Sequence, residues 1–214
     1  MTVEVKICGL STPETVAAAV AGGARSVGFV FYPGSPRSVT PEEAGRLSAA
    51  VPAGITRVGV VVDRDDAGLE AIVAGAGLDM LQLHGAETPE RAAEIKQRFG
   101  LAVMKAVAIA GVEDVARTRA YDDVVDRLMF DAKPPKDIEA LPGGNALAFD
   151  WELLGGHQWQ KPWALAGGLN AGNVAEAVRA SGAPAVDVSS GVEERPGIKS
   201  VDKIDAFLAV ARDL

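Results

Sequence analysis

Short apolar runs rich in β-branched residues recur along the whole chain: VEVKIC (3–8), SVGFVF (26–31), TRVGVVV (56–62), LDMLQLH (78–84), LAVMKAV (101–107), RLMFD (127–131), WALAG (163–167) and AVDVSS (185–190). Most are nearly continuous hydrophobics rather than alternating ones, the pattern of parallel strands covered on one face and packed into a core on the other. Between them lie Ala-rich segments of helical period with start and stop signals. STPETVAAAVAGGA (11–24) carries Pro13 at its first turn and a Gly pair at its end. TPEEAGRLSAAV (40–51) and TPERAAEIKQRFG (88–100) each read as a Thr cap, a Pro, then acids facing the helix N-terminus. NAGNVAEAVRASG (170–182) and SVDKIDAFLAVARDL (200–214) supply two more.

Eight strands with helical intervals between most neighbours, in 214 residues, predict an α/β fold: a single (β/α)8 TIM barrel occupying 1–214, near the lower end of the ~200–250 residues usual for that fold. A doubly wound open sheet is the alternative, because periodicity does not show whether a sheet closes. The first βα turn, CGLSTPETV, lacks the G-x-G-x-x-G of a dinucleotide site, which favours the barrel. The least helical interval, 132–162, is rich in Gly and Pro and too long for a plain connection.

Composition narrows the function classes. With 21 Lys+Arg against 29 Asp+Glu the net charge is −8, which argues against a nucleic-acid or anionic-membrane surface. A small phosphate ligand stays open, because backbone N–H groups hold phosphate whatever the net charge. Cys8 is the single cysteine, so no internal disulfide forms and a reducing, cytoplasmic setting is expected. Glu4 and Lys6 interrupt the first apolar run, which therefore reads as neither signal peptide nor membrane span. His84 and His157 have no credible metal-ligand spacing, and no metal is expected.

In a (β/α)8 barrel the chemistry sits at the C-terminal strand ends. Those ends carry Cys8, then Arg37 in YPGSPRSV, Asp63, Gln82 with His84, Lys105, Asp131, the AGGLN turn and DVSSGVE. The turns after strands seven and eight are the usual phosphate loops, and Gly167, Gly168, Ser189, Ser190 and Gly191 offer close backbone approach and hydroxyls there. Position alone leaves Cys8 evenly divided between a packed core residue and a base, and Asp131 between an acid and a cap or partner of Lys133. Arg37, held in a small-residue loop, suits two-point carboxylate or phosphate binding. Lys6 shares a strand face with Cys8 and is placed to lower its pKa. His84 reads first as a hydrogen-bonded structural residue, and Asp63 and Asp65 as helix caps. Lys105 keeps open a Schiff-base aldolase, and a barrel that only binds a sugar phosphate is a third possibility.

VKICGLST, GFVFYPGSPRSV, VGVVVD, LQLHG, MFDAKPP, LPGGNALAFDW, ALAGGLNAGNV and VDVSSGVEERPGIKS resemble, in order and over essentially the whole chain, the motifs of the phosphoribosylanthranilate isomerases of tryptophan biosynthesis. The resemblance implies the Amadori rearrangement of N-(5-phospho-β-D-ribosyl)anthranilate to 1-(2-carboxyphenylamino)-1-deoxy-D-ribulose 5-phosphate by general acid–base catalysis, with no cofactor. It places the general base on Cys8, the general acid on Asp131 and the anthranilate carboxylate on Arg37. Phosphate falls on Gly167–Gly168 and Ser189–Gly191, and Asp187 is a substrate-contacting position. Gln82, His84 and Lys6 are further site candidates. The partner is a small phosphorylated aminoaldose, with no nucleic acid or membrane, acting on a monomer or homodimer. One departure is Ala146, where family members often carry a second glycine.

Overall fold

The computed structural model describes residues 2–133 and 149–214; Ala146 lies outside the described residues. Eight parallel strands close into a barrel in sequence order. They are β1 (Glu4–Cys8), β2 (Ser26–Val30), β3 (Thr56–Val61), β4 (Met80–Leu83), β5 (Ala102–Ile109), β6 (Arg127–Ala132), β7 (Trp163–Leu165) and β8 (Ala185–Val188). Pairing of β1 with β8, Lys6 opposite Asp187, completes the ring and excludes the open sheet.

The helices are α1 (Pro13–Ala21), α2 (Pro41–Ser48), α3 (Asp66–Ala76), α4 (Pro89–Phe99), α5 (Val112–Arg117), α6 (Val174–Ser181) and α7 (Val201–Arg212). The expected Thr caps are present: Thr40 and Thr88 accept from the N–H of Glu43 and Arg91, and Glu43 completes a capping box. Asp65 caps α3 by accepting from Gly68 N–H at 2.9 Å. Asp63 does not cap a helix. Its carboxylate accepts from Ala86 N–H at 2.7 Å and so ties two βα loops together.

Two helices and a hairpin were not legible in the pattern. α3 is Gly-interrupted, and α5 has only six residues. After β8 the chain makes a 3-10 turn at Ser190–Val192 and then a small antiparallel hairpin, β9 (Glu193–Arg195) with β10 (Ile198–Lys199). In the described part of the long interval, a 3-10 turn at Trp151–Leu154 stands where a helix would. Trp159 closes that side by packing on Phe130, ring centroids 4.4 Å apart.

Side chains alternate strictly across the barrel wall. Ile7, Phe29, Leu81, Val103, Phe130 and Val186 point outward into the large core shared with the helices. Val58, Met80, Met104, Met129, Ala164 and Ala185 fill the barrel interior. One step further toward the C-terminal ends, on the same inward parity, come Cys8, Val60, Gln82, Asp131, Ala166 and Asp187. The hydrophobic interior therefore gives way to a polar mouth at a defined level. No described helix is long and apolar enough to cross a membrane.

Candidate active site

A cavity at the C-terminal mouth is lined by Cys8, Arg37, His84, Asp131, Gly167, Gly168, Asp187, Ser189 and Ser190. Residues from six strands or the loops that follow them thus converge on one space. Lys6, Gln82 and Gly191 stand immediately behind that lining. Tyr32, Val60 and Leu169 add an apolar wall; Tyr32 and Leu169 lie within YPGSPRSV and AGGLN, but the strand-end reading gives neither a role.

Cys8 is buried beside Val30 and Val60, with Tyr32 against the cluster. Burial pushes its thiol above the usual range; Lys6 opposes this and Asp187 reinforces it. Lys6 therefore acts in the expected direction but does not prevail. Its ammonium is committed to Asp187, Nζ to Oδ1 2.8 Å, both side chains buried. Burial works against the Lys6 charge, but Asp187 and Cys8 outweigh it and hold the ammonium above its ordinary pKa. The Lys6–Asp187 ion pair thus lies intact and buried next to the thiol.

Across the mouth, Asp131 Oδ1 accepts from Ala132 N–H at 2.8 Å, and Oδ2 lies 3.1 Å from His84 Nε2. Gln82 Nε2 donates to His84 Nδ1 at 2.9 Å, which leaves the ring proton on Nε2, facing Asp131. Lys133 is not the partner of Asp131; its Nζ reaches Asp114 Oδ1 at 3.2 Å. His84 is hydrogen-bonded, as its strand-end position predicts, and it is also part of the cavity wall.

The phosphate-loop candidates lie side by side at the mouth with half-buried backbone. Gly167 has φ +90, a left-handed conformation, and a Cβ there would stand 2.7 Å from Ala132 N. At Gly191 a Cβ would meet Leu169 O at 1.9 Å, so the two loops pack together only because that residue is glycine. Asn173 Nδ2 donates to Gly168 O at 3.0 Å and pins the first loop from behind.

Lys105 lies on the outward parity of β5, away from the cavity. Its Nζ donates to Gly85 O at 2.7 Å and Glu87 Oε2 at 2.8 Å, and lies 3.3 Å from Leu83 O. A Schiff base needs an amine with a free lone pair facing substrate, so the aldolase alternative fails on geometry. Arg37 meets an acid to which the strand-end reading gives no role: Glu193, the last residue of DVSSGVE, on β9.

A closed eight-stranded parallel barrel whose C-terminal mouth gathers a thiol, a carboxyl, an arginine and the Gly167–Gly168 and Ser189–Gly191 turns around one cavity places the chain in the (β/α)8-barrel class. Comparison with known proteins narrows the class. Residues 5–210 match the family model described as N-(5'phosphoribosyl)anthranilate (PRA) isomerase, and the chain belongs to that family. It is 58% identical over 214 residues to the N-(5'-phosphoribosyl)anthranilate isomerase of Rhodospirillum centenum, covering 100% of both chains. It superposes on the phosphoribosyl anthranilate isomerase structure from Thermotoga maritima with TM-score 0.88 at 37% identity, covering 99% of this chain and 100% of that one. A further isomerase structure, in complex with reduced 1-(o-carboxyphenylamino)-1-deoxyribulose 5-phosphate, matches with TM-score 0.85 at 36% identity over 99% and 100% of the two chains.

Proposed function

We propose that this chain carries out the reaction for which its family is named: the Amadori isomerisation of N-(5'-phosphoribosyl)anthranilate in tryptophan biosynthesis, with Asp131 as general acid and Cys8 as general base. The observation that carries the reading is the convergence of Cys8, Asp131, Arg37 and both phosphate-loop candidates on one cavity. Each end of the substrate then has its counterpart. Phosphate sits among Gly167, Gly168, Ser189, Ser190 and Gly191, and the anthranilate carboxylate on Arg37, with the aromatic ring against the apolar wall that includes Tyr32 and Val60.

Asp131 gives its proton to the furanose ring oxygen. The C1′–O bond breaks, and the nitrogen lone pair forms the iminium. The carboxylate left behind accepts from Ala132 N–H and His84 Nε2–H, both already in place, so the transfer is met by fixed donors. The iminium acidifies C2′–H. It also brings a positive charge into the cavity beside Cys8, where an opposite charge favours the thiolate that burial alone disfavours. The thiolate, its own proton released to bulk solvent, takes the C2′ proton to give an enolamine. The thiol then returns a proton to C1′ while the 2′-OH proton passes to the Asp131 carboxylate, which leaves the ketone and restores both groups. Atoms and electrons balance within one molecule, so the reaction calls on no redox cofactor. A single chain supplies every group in this scheme, and a monomer or a homodimer serves it equally.

The test follows the fluorescence loss of freshly generated substrate. Wild-type protein turns it over; Asp131→Asn and Cys8→Ala each lose about 10²–10⁴-fold, the usual range for a general acid or base. Turnover at wild-type rate in both variants would reject the assignment.

A further inference from the structure

The scheme above leaves a buried ion cluster behind Arg37 without a role. Glu193, the first residue of β9, receives Arg37 Nε on Oε1 at 2.7 Å and Nη2 on Oε2 at 2.9 Å, a two-point contact between side chains only 6% and 4% exposed. Lys199, at the end of β10, donates to Glu193 Oε1 at 2.7 Å with a side chain 1% exposed. The same ammonium donates to Ser189 O at 2.9 Å and Ser189 Oγ at 3.1 Å. The cluster therefore joins the arginine loop after β2 to the phosphate-loop candidate after β8.

We propose that Glu193, braced by Lys199, is the positioning residue that fixes the Arg37 guanidinium plane and thereby sets the enzyme's preference for substrates carrying the aryl carboxylate. The inference rests on the reading of Arg37 as the carboxylate-binding group. An arginine at a cavity mouth has four rotatable side-chain bonds, and a ligand that must first order it loses affinity. A planar two-point acid on one side removes that freedom before the ligand arrives.

The hairpin is built for this duty. Gly197 at its turn has φ +84, and a Cβ there would stand 2.4 Å from Pro36 O, so the turn lies against the backbone that carries Arg37. Lys203 Nζ, on α7, donates to Glu193 O at 2.6 Å and fixes the hairpin from the other side. Burial opposes the Glu193 charge, but Arg37 and Lys199 outweigh it and hold the carboxyl below its ordinary range.

The test compares two ligands: reduced 1-(o-carboxyphenylamino)-1-deoxyribulose 5-phosphate and its phenylamino counterpart lacking the carboxyl. Their affinity ratio, by calorimetry, reads the Arg37 contact alone. Wild-type protein favours the carboxylated ligand by about tenfold to 100-fold, the usual worth of a hydrogen bond to a charged group. In Glu193→Ala that ratio collapses to about threefold or less, while affinity for the phenylamino ligand holds within about threefold. Glu193→Gln, of the same shape, collapses it partly and decides the matter if the alanine variant does not fold. Equal loss of affinity for both ligands, or an unchanged ratio in the variants, overturns the proposal. A wild-type protein that does not discriminate overturns the Arg37 reading itself, and this proposal with it.

Discussion

Two of the buried lysine–carboxylate pairs among the described residues, both anchored on barrel strands, have the same length and nearly the same burial. Lys6–Asp187 and Lys105–Glu87 both measure 2.8 Å, and all four side chains are at most 8% exposed. Their surroundings differ. Lys105 is on the outward parity of β5, and its partner Glu87 also accepts from the N–H groups of Asp63 and Gly85. That pair fastens the loops after β3 and β4 from outside the barrel. Lys6 is on the inward parity of β1, two residues before the thiol, and its partner lines the cavity. Distance and burial do not distinguish a structural ion pair from a chemical one. The wall face on which the pair lies, and the titratable group next to it, do.

Lys6→Met gives the largest effect. It strands Asp187 as a buried unpaired charge, at a cost of about 3–5 kcal/mol in stability. It also removes the cation that draws the Cys8 pKa down, so kcat/KM per folded molecule falls by at least about 10²-fold, within the range of a general-base contribution. Chemical denaturation and turnover, measured on the same preparation, check both. Lys105→Met breaks its pair at a similar cost of about 3–5 kcal/mol. Because no donor or acceptor of that pair faces the cavity, kcat/KM per folded molecule stays within about threefold of wild type. A Lys105→Met variant that folds normally but is inactive would erase the contrast between the pairs.

How far the sequence reveals this difference depends on which rule carries the information. Strand positions were legible because most runs are apolar on both faces, the barrel because eight such units fill 214 residues and the first βα turn lacks G-x-G-x-x-G, and the Thr–Pro starts of α2 and α4 name their own caps. The convergence of Cys8, Asp131, Arg37 and the two loops follows from a general rule about barrel strand ends. Listing strand-end residues without parity placed Lys105 beside the site candidates. Met104 and Ala106, its apolar neighbours on the interior core, were the available correction. Glu193 was out of reach for another reason: its contact with Arg37 spans 156 residues of chain, and nothing local marks a hairpin after the last barrel strand. The pKa of Cys8 could not be judged either. Lys6 is visible two residues away, but the burial that outweighs it and the Asp187 carboxylate that engages it belong to the assembled barrel.

The smallest expected effect tests the comparison most finely, because it reads the local field without turnover. As the single cysteine, Cys8 is the one thiol iodoacetamide can alkylate, and only the thiolate reacts. Burial raises the folded-state pKa, so alkylation of the free enzyme at pH 7.5 is slower than that of a small thiol, and its pH profile is displaced to the alkaline side. By the same sign, the stability contributed by this thiol is fully present below the unfolded-state pKa and is lost as pH rises through the folded value. Asp187 raises the pKa and Lys6 lowers it. Asp187→Asn should therefore move the alkylation profile toward neutrality and Lys6→Met further toward alkali. Lys105→Met should leave the profile in place. A shift in the Lys105 variant as large as that in the Lys6 variant would mean that the barrel wall does not separate the two pairs electrically, and the distinction drawn from parity would fail.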